Sequence, residues 1–389
     1  MSIYAINLLR QLVNAGHDVA MISQYRDDDF GRGVYGGGPP PDVPGVKIIG
    51  LEAKGEAESG DFERDIEEMV AAVVREHERA PFDVLHAQYG YPNGWAALLA
   101  SKRTGVPNIV SIQGGDGHWV GSCCETHRIA MQRVLDHAGR ILIGGESFAR
   151  EVHERLGTAM DRFTFIPGAV DTGHFHPGTR RDTDDRVSLF YHGRVDRRKG
   201  VLDMLDALAR LESQTAWRCT ISGIGPDLEP AKRRARELGL DDHVRFTGYA
   251  DYADVPDLYR EHDIFLSPTY AEGFSNTILE AMASGLAIIA GRSVGVVDCL
   301  RDGANGLLVK PGNIEALSSA IATLVDDAGE RRRLADATLA ECRAIYSWEV
   351  VGDLIQEQYR AVSGEVPDLE FEMVLPVDEC RFRAEPHLL

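Results

Sequence analysis

The stretch that most constrains the fold is residues 263–285, where a short apolar run, a loop and a helical pattern follow one another. The run 263–268 is typical of a buried strand of a parallel sheet. Ser275 or Asn276 is suited to cap the helix that follows, and Gly285 is suited to end it. The order strand, loop, helix predicts an α/β fold in which this loop lies at the carboxyl end of a strand, where such folds bind ligands.

Two carboxylates flank this loop, Glu272 within it and Glu280 in the helix. The free N–H groups at the helix start, together with Gly273, attract an anion. Carboxylates accept hydrogen bonds from hydroxyl groups. The combination predicts a ligand that carries both phosphate and hydroxyls, such as a nucleotide sugar. The alternative is that Glu272 and Glu280 are solvated charges, which is the commoner outcome for two glutamates at this spacing.

A cationic loop, residues 193–200, follows a second apolar run and precedes another helical pattern. Arg194 and Lys199 would place positive charge at the carboxyl end of a strand, where a diphosphate could lie. The alternative is that the basic residues are solvated surface charges, as in most short basic runs. We adopt that interpretation for Arg197 and Arg198 only.

The segment from Glu272 to Ala283 resembles the donor-binding signature of the retaining GT-B glycosyltransferases of family four, in which seven residues separate the two glutamates. Residues 193–200 resemble the Gly-Arg…Lys-Gly signature of the same family. The resemblance implies transfer of a hexose from a nucleotide diphosphate sugar to a hydroxyl group, with retention at the anomeric carbon. The acceptor would be a glycan, a lipid-linked sugar or a small molecule.

The resemblance also implies roles for individual residues. Arg194 and Lys199 would contact the donor phosphates, Glu272 the transferred sugar and Glu280 the ribose. The implied catalytic residues are therefore Arg194, Lys199 and Glu272, and the implied donor-binding residues are Gly193, Gly223, Gly225, Tyr249, Gly273, Phe274, Ser275, Asn276 and Glu280. For Tyr249, stacking on the base and packing against the protein remain equally open.

The beginning of the chain departs from the family pattern. A helix is predicted over residues 3–15 and a strand over residues 18–23. In the family, another strand and a Gly-rich loop come before this helix. Both are missing here, so we expect either a truncated product or a replacement of the strand by other means, and an N-terminal sheet with an unpaired edge.

Three residues are predicted on the acceptor and sugar side. Strands expected over residues 82–86 and 108–112 place His86, Gln113 and Asp116 at strand ends. In the family a His usually stands where Gln113 does, and Gln cannot act as a base. The resemblance implies that a donor phosphate oxygen takes the acceptor proton instead. For His86, a purely structural hydrogen-bonding role is an equal alternative.

The predicted fold class is α/β of the GT-B type, with two Rossmann-like domains whose parallel sheets face each other across a cleft. We expect an acceptor-side domain over residues 1–173 and a nucleotide-sugar domain over residues 174–346. A terminal helix over residues 347–363 would cross back to the first domain. Residues 364–389 are weakly patterned and are expected to form a tail of unknown role.

Charge and composition limit the partners. A net charge of −20 argues against nucleic acid and against strong binding to anionic lipid. No apolar run reaches the length of a membrane span, and no signal-peptide pattern is found at the N-terminus, which predicts a cytoplasmic protein with at most weak association with the inner face of the membrane. The six cysteines lack the spacing of a metal site, and no Asp-x-Asp pair ends a strand. We therefore expect neither a metal nor a cofactor beside the nucleotide-sugar co-substrate.

Two other functions remain compatible with the sequence. One is another enzyme of the same fold, such as a nucleotide-sugar epimerase or a phosphorylase. The other is a truncated or degenerate non-catalytic protein that acts as a binding partner, which the missing strand and Gln113 favour and the four charged donor-site residues oppose.

Overall fold

Two compact α/β units make up the chain. The computed structural model describes residues 2–27, 38–55, 62–114, 121–178, 186–211, 213 and 215–376. Unit 1 comprises Met1–Pro167 and Val351–Leu389, and unit 2 comprises Gly168–Val350. The first segment of unit 1 therefore ends at Pro167, six residues before residue 173, where the first domain was expected to end.

Unit 1 alternates strands and helices through most of its length. Its strands are β1 (Val19–Tyr25), β2 (Val46–Glu52), β3 (Leu85–Gln88), β4 (Asn108–Ile112), β5 (Arg140–Ile143) and β6 (Phe163–Phe165). Its main helices in this part of the chain are α1 (Ile3–Asn14), α2 (Phe62–Arg79), α3 (Trp95–Thr104), α4 (Glu125–His137) and α5 (Glu146–Leu156). Ser2 caps α1 by accepting a hydrogen bond from the Ala5 amide, as expected where a helix leaves its first N–H groups without acceptors.

The strands of unit 1 form two parallel sheets instead of one. Among the described residues, β1 pairs only with β2, and β3, β4, β5 and β6 pair in that order. Within the described residues, β1 and β3 each therefore keep one unpaired edge. This split agrees with the expectation that the N-terminal sheet lacks a strand.

Unit 2 is a doubly wound α/β unit around a six-stranded parallel sheet. Its strands are β7 (Val187–His192), β8 (Trp217–Ser222), β9 (Val244–Gly248), β10 (Ile264–Ser267), β11 (Ala287–Gly291) and β12 (Leu307–Val309), in the order β12-β11-β10-β7-β8-β9. The helices are α6 (Val201–Ala209), α7 (Leu228–Glu237), α8 (Val255–Arg260), α9 (Asn276–Ala283), α10 (Ile314–Asp326) and α11 (Ala328–Glu341).

The core of unit 2 has two layers, one on each face of the sheet. Leu189 and Phe190 are neighbours on β7, both fully buried, and they belong to different apolar clusters. Successive side chains of a strand point to opposite faces, so both faces are covered. This explains why the strands of unit 2 are apolar runs without alternation.

The last helix and the segment after it pack largely on unit 1. Helix α12 (Trp348–Val362) begins at the end of unit 2, and its residues from Val351 onward belong to unit 1. Beyond it, the Lys102 ammonium group donates hydrogen bonds to the carbonyl oxygens of Leu369 (2.7 Å) and Phe371 (2.8 Å). Thr126 and Arg133 of α4 also donate to the carbonyl oxygens of Pro376 and Val374, so the described part of the predicted tail is docked on α3 and α4. Across the described ranges, no helix is both long and apolar enough to cross a membrane.

Candidate active site

The predicted donor-binding residues lie in loops at one edge of the sheet of unit 2. The sheet is parallel throughout, so the carboxyl ends of its strands share that edge. Loop 193–200 follows β7, loop 223–225 follows β8, Tyr249 follows β9, and loop 268–275 follows β10. The fold therefore brings together at one edge segments that are up to 82 positions apart in the sequence.

The loops after β7 and β8 pack backbone against backbone. The Gly193 amide donates to the Ser222 carbonyl (3.0 Å), and the Val195 amide donates to the Ile224 carbonyl (2.9 Å). A Cβ atom on Gly223, which has φ +138°, would lie 1.8 Å from the Gly193 carbonyl oxygen. Only glycine permits this approach.

The loop after β7 is also fixed to the loop after β10. Gly200 has φ +72°, and a Cβ atom there would lie 2.2 Å from the Pro268 carbonyl oxygen. The Tyr270 amide donates to the Arg198 carbonyl at 3.0 Å. These contacts fix the position of Lys199, which lies between Arg198 and Gly200 in a short 3₁₀ turn.

Lys199 and Glu272 form a close ion pair at the centre of this edge. The distance from Lys199 Nζ to Glu272 Oε1 is 2.5 Å, and their side chains are 31% and 20% exposed. Both are accessible to a ligand, yet each is partly withdrawn from water, which strengthens their interaction relative to a fully exposed pair. Two residues that were predicted to contact the phosphates and the sugar are thus in direct contact with each other.

Arg194 is held by a buried carboxylate. Its Nε atom lies 3.5 Å from Asp196 Oδ2, and the Arg194 side chain remains 37% exposed. Burial opposes ionisation of Asp196, but hydrogen bonds and charge from Arg198 outweigh it and lower the pKa of the Asp196 carboxyl. Asp196 therefore stays ionised beside two arginines, and one of them is a predicted catalytic residue.

Arg197 and Arg198, which were interpreted as solvated surface charges, are exposed but also form ion pairs. Arg198 bonds to Asp196 at 2.9 Å, and Arg197 bonds to the buried Asp227 at 3.0 Å although its own side chain is 74% exposed. The hydrogen bond from Arg197 lowers the pKa of Asp227. Each arginine is the partner of a buried carboxylate, and the two pairs stabilise the loop that carries Arg194 and Lys199.

Helix α9 begins beside the Lys199–Glu272 pair. Asn276 is its first residue and Ser275 occupies the N-cap position, although the Ser275 hydroxyl contacts the Thr277 hydroxyl (3.2 Å) and not a backbone amide. The first turn of a helix offers no backbone acceptor for its own amides. Gly285 follows the C-cap with φ +74°, as predicted for the residue that ends the helix.

Phe274, a predicted donor-binding residue, packs within unit 2. Its ring lies 5.8 Å from that of Tyr346. A Cβ atom on Gly168 would lie 2.6 Å from Phe274 Cδ1. The absence of a side chain on Gly168 leaves the space that the Phe274 ring fills.

Glu280 lies on the face of α9 that carries Thr277. The Tyr259 hydroxyl lies 2.9 Å from Glu280 Oε2 and 3.2 Å from the Thr277 carbonyl oxygen. Burial raises the pKa of Glu280 to about 7, and the hydrogen bond from Tyr259 only partly opposes this. Sequence reasoning missed Tyr259, because nothing in the pattern of α8 distinguishes it from a core aromatic residue.

Tyr249 is one of the most exposed aromatic side chains among the described residues, at 70%. The carbonyl of Gly248 before it accepts a hydrogen bond from the Gly223 amide (2.7 Å), which ties the loops after β8 and β9 together. This exposure leaves little of the Tyr249 side chain packed against the protein. Its contact with a base stays a prediction.

Two of the predicted acceptor-side residues, His86 and Gln113, lie in unit 1 and are hydrogen-bonded within it. His86 is the second residue of β3 and not the residue at its carboxyl end, because β3 continues to Gln88, two residues beyond the expected end. Its Nδ1 lies 2.6 Å from the Tyr359 hydroxyl and its Nε2 2.8 Å from the Ser111 hydroxyl. Burial lowers the pKa of His86 to about 4, so the ring is neutral at pH 7. These contacts are those of a structural histidine.

Gln113 follows β4, as predicted, and its amide donates to Gln88 Oε1 at 3.1 Å. Asp116 lies outside the described residues. Neither the hydrogen bond to Gln88 nor the position of Gln113 after β4 shows which ligand it would contact. Its role on the acceptor side stays a prediction.

Potential metal ligands do meet at one place in unit 1, although the cysteine spacing suggested none. The ligand atoms of Cys123, Cys124 and His127 all lie within 4.8 Å of one another. Cys123 Sγ is 2.8 Å from His127 Nδ1. The donor set would suit a soft cation such as Zn²⁺, but it is remote in sequence from the donor-site loops.

Comparison with solved structures identifies the fold. The chain is similar to sucrose-phosphate synthase from Thermosynechococcus elongatus, with a TM-score of 0.76, 22% identity and 92% of each chain covered. It is also similar to Anabaena HepE solved in complex with UDP, with a TM-score of 0.72, 17% identity, and 92% of this chain and 96% of that one covered. Two Rossmann-like units with these relatives define a GT-B protein, which confirms the predicted fold class.

Comparison of sequences then gives the family. The family described as "Glycosyl transferases group 1" matches residues 174–340, and "Glycosyl transferase 4-like domain" matches residues 1–169. The chain belongs to the group 1 glycosyl transferases. It is 29% identical over 315 residues to D-inositol 3-phosphate glycosyltransferase of Mycobacterium tuberculosis (strain ATCC 25618 / H37Rv), a match that covers 74% of this chain and 64% of that protein.

Proposed function

We propose that the protein transfers a hexose from a nucleotide diphosphate sugar to a hydroxyl acceptor, with retention at the anomeric carbon. The observation that carries the proposal is the Lys199–Glu272 pair at 2.5 Å, at the strand edge where α9 begins. Such an edge, with cations, carboxylates and helix amides together, suits a ligand that has both phosphates and hydroxyls. HepE, which shares the fold, has been crystallised with UDP-glucose.

Each donor-site residue has a defined part in this proposal. Arg194 and Lys199 neutralise the charge that develops on the departing nucleoside diphosphate. Glu272 accepts hydrogen bonds from hydroxyls of the transferred sugar, and Glu280 accepts them from the ribose. Loss of one such cation commonly costs roughly 3 kcal/mol of transition-state stabilisation, which is about a hundredfold in rate.

The acceptor proton needs no protein base in this proposal. His86 is neutral and has both ring nitrogens in hydrogen bonds, and Gln113 cannot take a proton. A donor phosphate oxygen therefore takes the proton of the attacking hydroxyl. We further propose that no metal takes part, because Arg194 and Lys199 supply the positive charge that a cation would provide.

Calorimetric titration with UDP, GDP and ADP tests the donor site. We expect one nucleotide to bind the full chain, and to bind Lys199→Ala at least tenfold more weakly, with Lys54→Ala, at an exposed position of unit 1, as the control. If none binds at millimolar concentration to the folded chain, or if both variants bind alike, the donor site is assigned wrongly.

Product analysis tests the reaction itself. With the nucleotide sugar of the base that binds, we expect release of nucleoside diphosphate together with a glycosylated acceptor, and NMR of the new anomeric centre should show the donor configuration. Conversion of the donor sugar without release of the nucleotide would instead indicate an epimerase.

A non-catalytic role is the second candidate, because the sheet of unit 1 is split between β1 and β3. Nucleotide binding without turnover in a screen of hydroxyl acceptors would favour it.

A further inference from the structure

Three side chains with metal-binding atoms converge where α4 begins. The ligand atoms of Cys123, Cys124 and His127 all lie within 4.8 Å of one another. Cys123 is the last residue of a short helical turn, Gly121–Cys123, Cys124 is the N-cap residue of α4, and His127 lies in the first turn of that helix. Among the described residues, no other group of three or more Cys, His, Asp or Glu ligand atoms is as close together. One helix start thus presents two thiols and an imidazole to the same point.

The separations between these atoms are close to those of ligands that share one zinc ion. In a tetrahedral site with Zn–S bonds of about 2.3 Å and Zn–N bonds of about 2.0 Å, two sulfur ligands lie roughly 3.8 Å apart, and a sulfur and a nitrogen roughly 3.5 Å. The Sγ atoms of Cys123 and Cys124 are 3.9 Å apart. Cys123 Sγ is 2.8 Å from His127 Nδ1, which is a hydrogen-bond distance. That sulfur therefore has to move by only about 0.7 Å to become a ligand beside the imidazole.

The start of α4 favours the thiolate form of its cysteines, and the thiolate is the form that binds metals. The His127 amide donates a hydrogen bond to Cys124 Sγ at 3.5 Å. The N–H groups of a first helical turn also carry partial positive charge. Negative charge on the sulfurs is thus stabilised where the imidazole meets them. Thiolate and imidazole together suit Zn²⁺ better than they suit Mg²⁺ or Ca²⁺, which take oxygen ligands.

The imidazole is fixed in position, whereas the sulfurs can be reached from solvent. His127 is only 4% exposed, and its ring packs against that of Tyr91, with the centroids 4.4 Å apart. A Cβ atom on Gly121 would lie 2.7 Å from Leu156 Cδ1, so the turn that carries Cys123 packs closely on α5. Both cysteines are half-buried. Three protein ligands with one side toward solvent leave the fourth position of a zinc ion for water.

We propose that Cys123, Cys124 and His127 bind one Zn²⁺ ion, with a water molecule as the fourth ligand. The ion ties the turn Gly121–Cys123 to the first turn of α4, and it stabilises the folded chain because folding is what brings the three ligands together. This is a structural site in unit 1, whereas the donor-site loops belong to unit 2. Zinc binding here is independent of the function proposed above, and its test needs no measurement of activity.

Co²⁺ serves as the spectroscopic probe of the site. Thiolate ligands give Co²⁺ charge-transfer absorption in the near ultraviolet, and tetrahedral coordination gives it intense visible bands. The full chain, reduced and then freed of metal with EDTA, should take up one Co²⁺ per chain with both features, and Zn²⁺ should displace it. Zn²⁺ should also raise the melting temperature of the chain, since it binds the folded state more tightly than the unfolded one.

Two variants and a matched control locate the ion. Cys123→Ala and Cys124→Ala should each bind Zn²⁺ at least tenfold more weakly than the unaltered chain, with less charge-transfer absorption and a smaller rise in melting temperature. Cys342→Ala, which removes a buried thiol of unit 2, is the control. It should match the unaltered chain in metal affinity, in the Co²⁺ spectrum and in the rise of the melting temperature on adding Zn²⁺.

Three results would overturn the proposal. The first is that Co²⁺ binds the reduced chain without thiolate charge transfer, or does not bind saturably. The second is that Cys123→Ala and Cys124→Ala keep the affinity and the spectrum of the unaltered chain, and the third is that Cys342→Ala loses as much affinity as they do. If a variant fails to fold, the spectrum of the unaltered chain still decides, because only thiolate ligands produce that absorption.

Discussion

Replacement of Glu280 by Gln should make the stability of the protein less dependent on pH. Burial raises the pKa of Glu280 from 4.5 to about 7 in the folded chain. Between these values the folded state keeps a proton that the unfolded state releases. The group therefore contributes stability that is complete below pH 4.5 and is lost as the pH rises toward 7. Glutamine resembles the protonated acid and keeps an oxygen that can accept from Tyr259.

The size of the effect follows from the shift. At 1.36 kcal/mol per pKa unit, a rise from 4.5 to about 7 corresponds to about 3 kcal/mol. This is an upper limit, because Glu280 keeps part of its surface exposed to water. We expect Glu280→Gln and the unaltered chain to be about equally stable at pH 4.5, and the variant to be more stable by up to about 3 kcal/mol at pH 8.

Urea unfolding at several pH values between 4.5 and 8, followed by tryptophan fluorescence, measures the difference. Glu315→Gln, at an exposed position of α10, is the matched control and should show no pH-dependent difference. The same stability difference at every pH for Glu280→Gln would refute the reasoning, because the buried carboxyl would then not be the titrating group. The variant should also bind nucleotide more weakly, since it loses the carboxylate proposed to hold the ribose.

Three further predictions concern the donor-site loops and the proposed absence of a metal from the reaction. Gly223→Ala should displace the loop after β7 and weaken nucleotide binding at least tenfold, whereas Gly239→Ala, with positive φ but nothing within 4 Å of the new Cβ, should lose only stability, by about 1 kcal/mol in thermal unfolding. Excess EDTA should leave the rate of nucleoside diphosphate release unchanged. A fall in that rate that added Zn²⁺ reverses, and that does not occur in Cys123→Ser, would contradict this prediction. Glu272→Gln should bind nucleoside diphosphate as well as the unaltered chain or better, yet transfer sugar roughly a hundredfold more slowly; weaker nucleotide binding would contradict it.

The sequence predicted most of the strands and helices, because apolar periodicity and glycine positions are local. The strand over residues 108–112 lies where it was expected, and the helix expected over residues 3–15 spans Ile3–Asn14. The first strand after α2 begins later than expected, at Leu85 instead of residue 82. The apolar residues before it match a strand as well as those within it, and only the pairing with β4 selects the register.

The contacts that support the site could not be predicted, because they join residues that are distant in the sequence. The apolar pattern gives no sign that Tyr259 reaches Glu280, or that Asp227 would neutralise Arg197. The approach of Gly223 to Gly193 is likewise visible only once two loops are side by side. The motifs predicted the charged residues of the site, and the structure shows the partner residues that hold them in place.

The Lys199–Glu272 pair links recognition of the nucleotide to recognition of the sugar. Lys199 cannot keep its 2.5 Å contact with Glu272 and also turn fully to a phosphate. If a nucleoside diphosphate without a sugar draws Lys199 away, the Glu272 carboxylate loses its cation. That carboxylate is only 20% exposed, so leaving it unpaired costs free energy. A sugar hydroxyl that donates to Glu272 removes this cost. The affinity gain from nucleoside diphosphate to nucleotide sugar should therefore be larger in the unaltered chain than in Glu272→Gln, because the neutral amide never needed the cation.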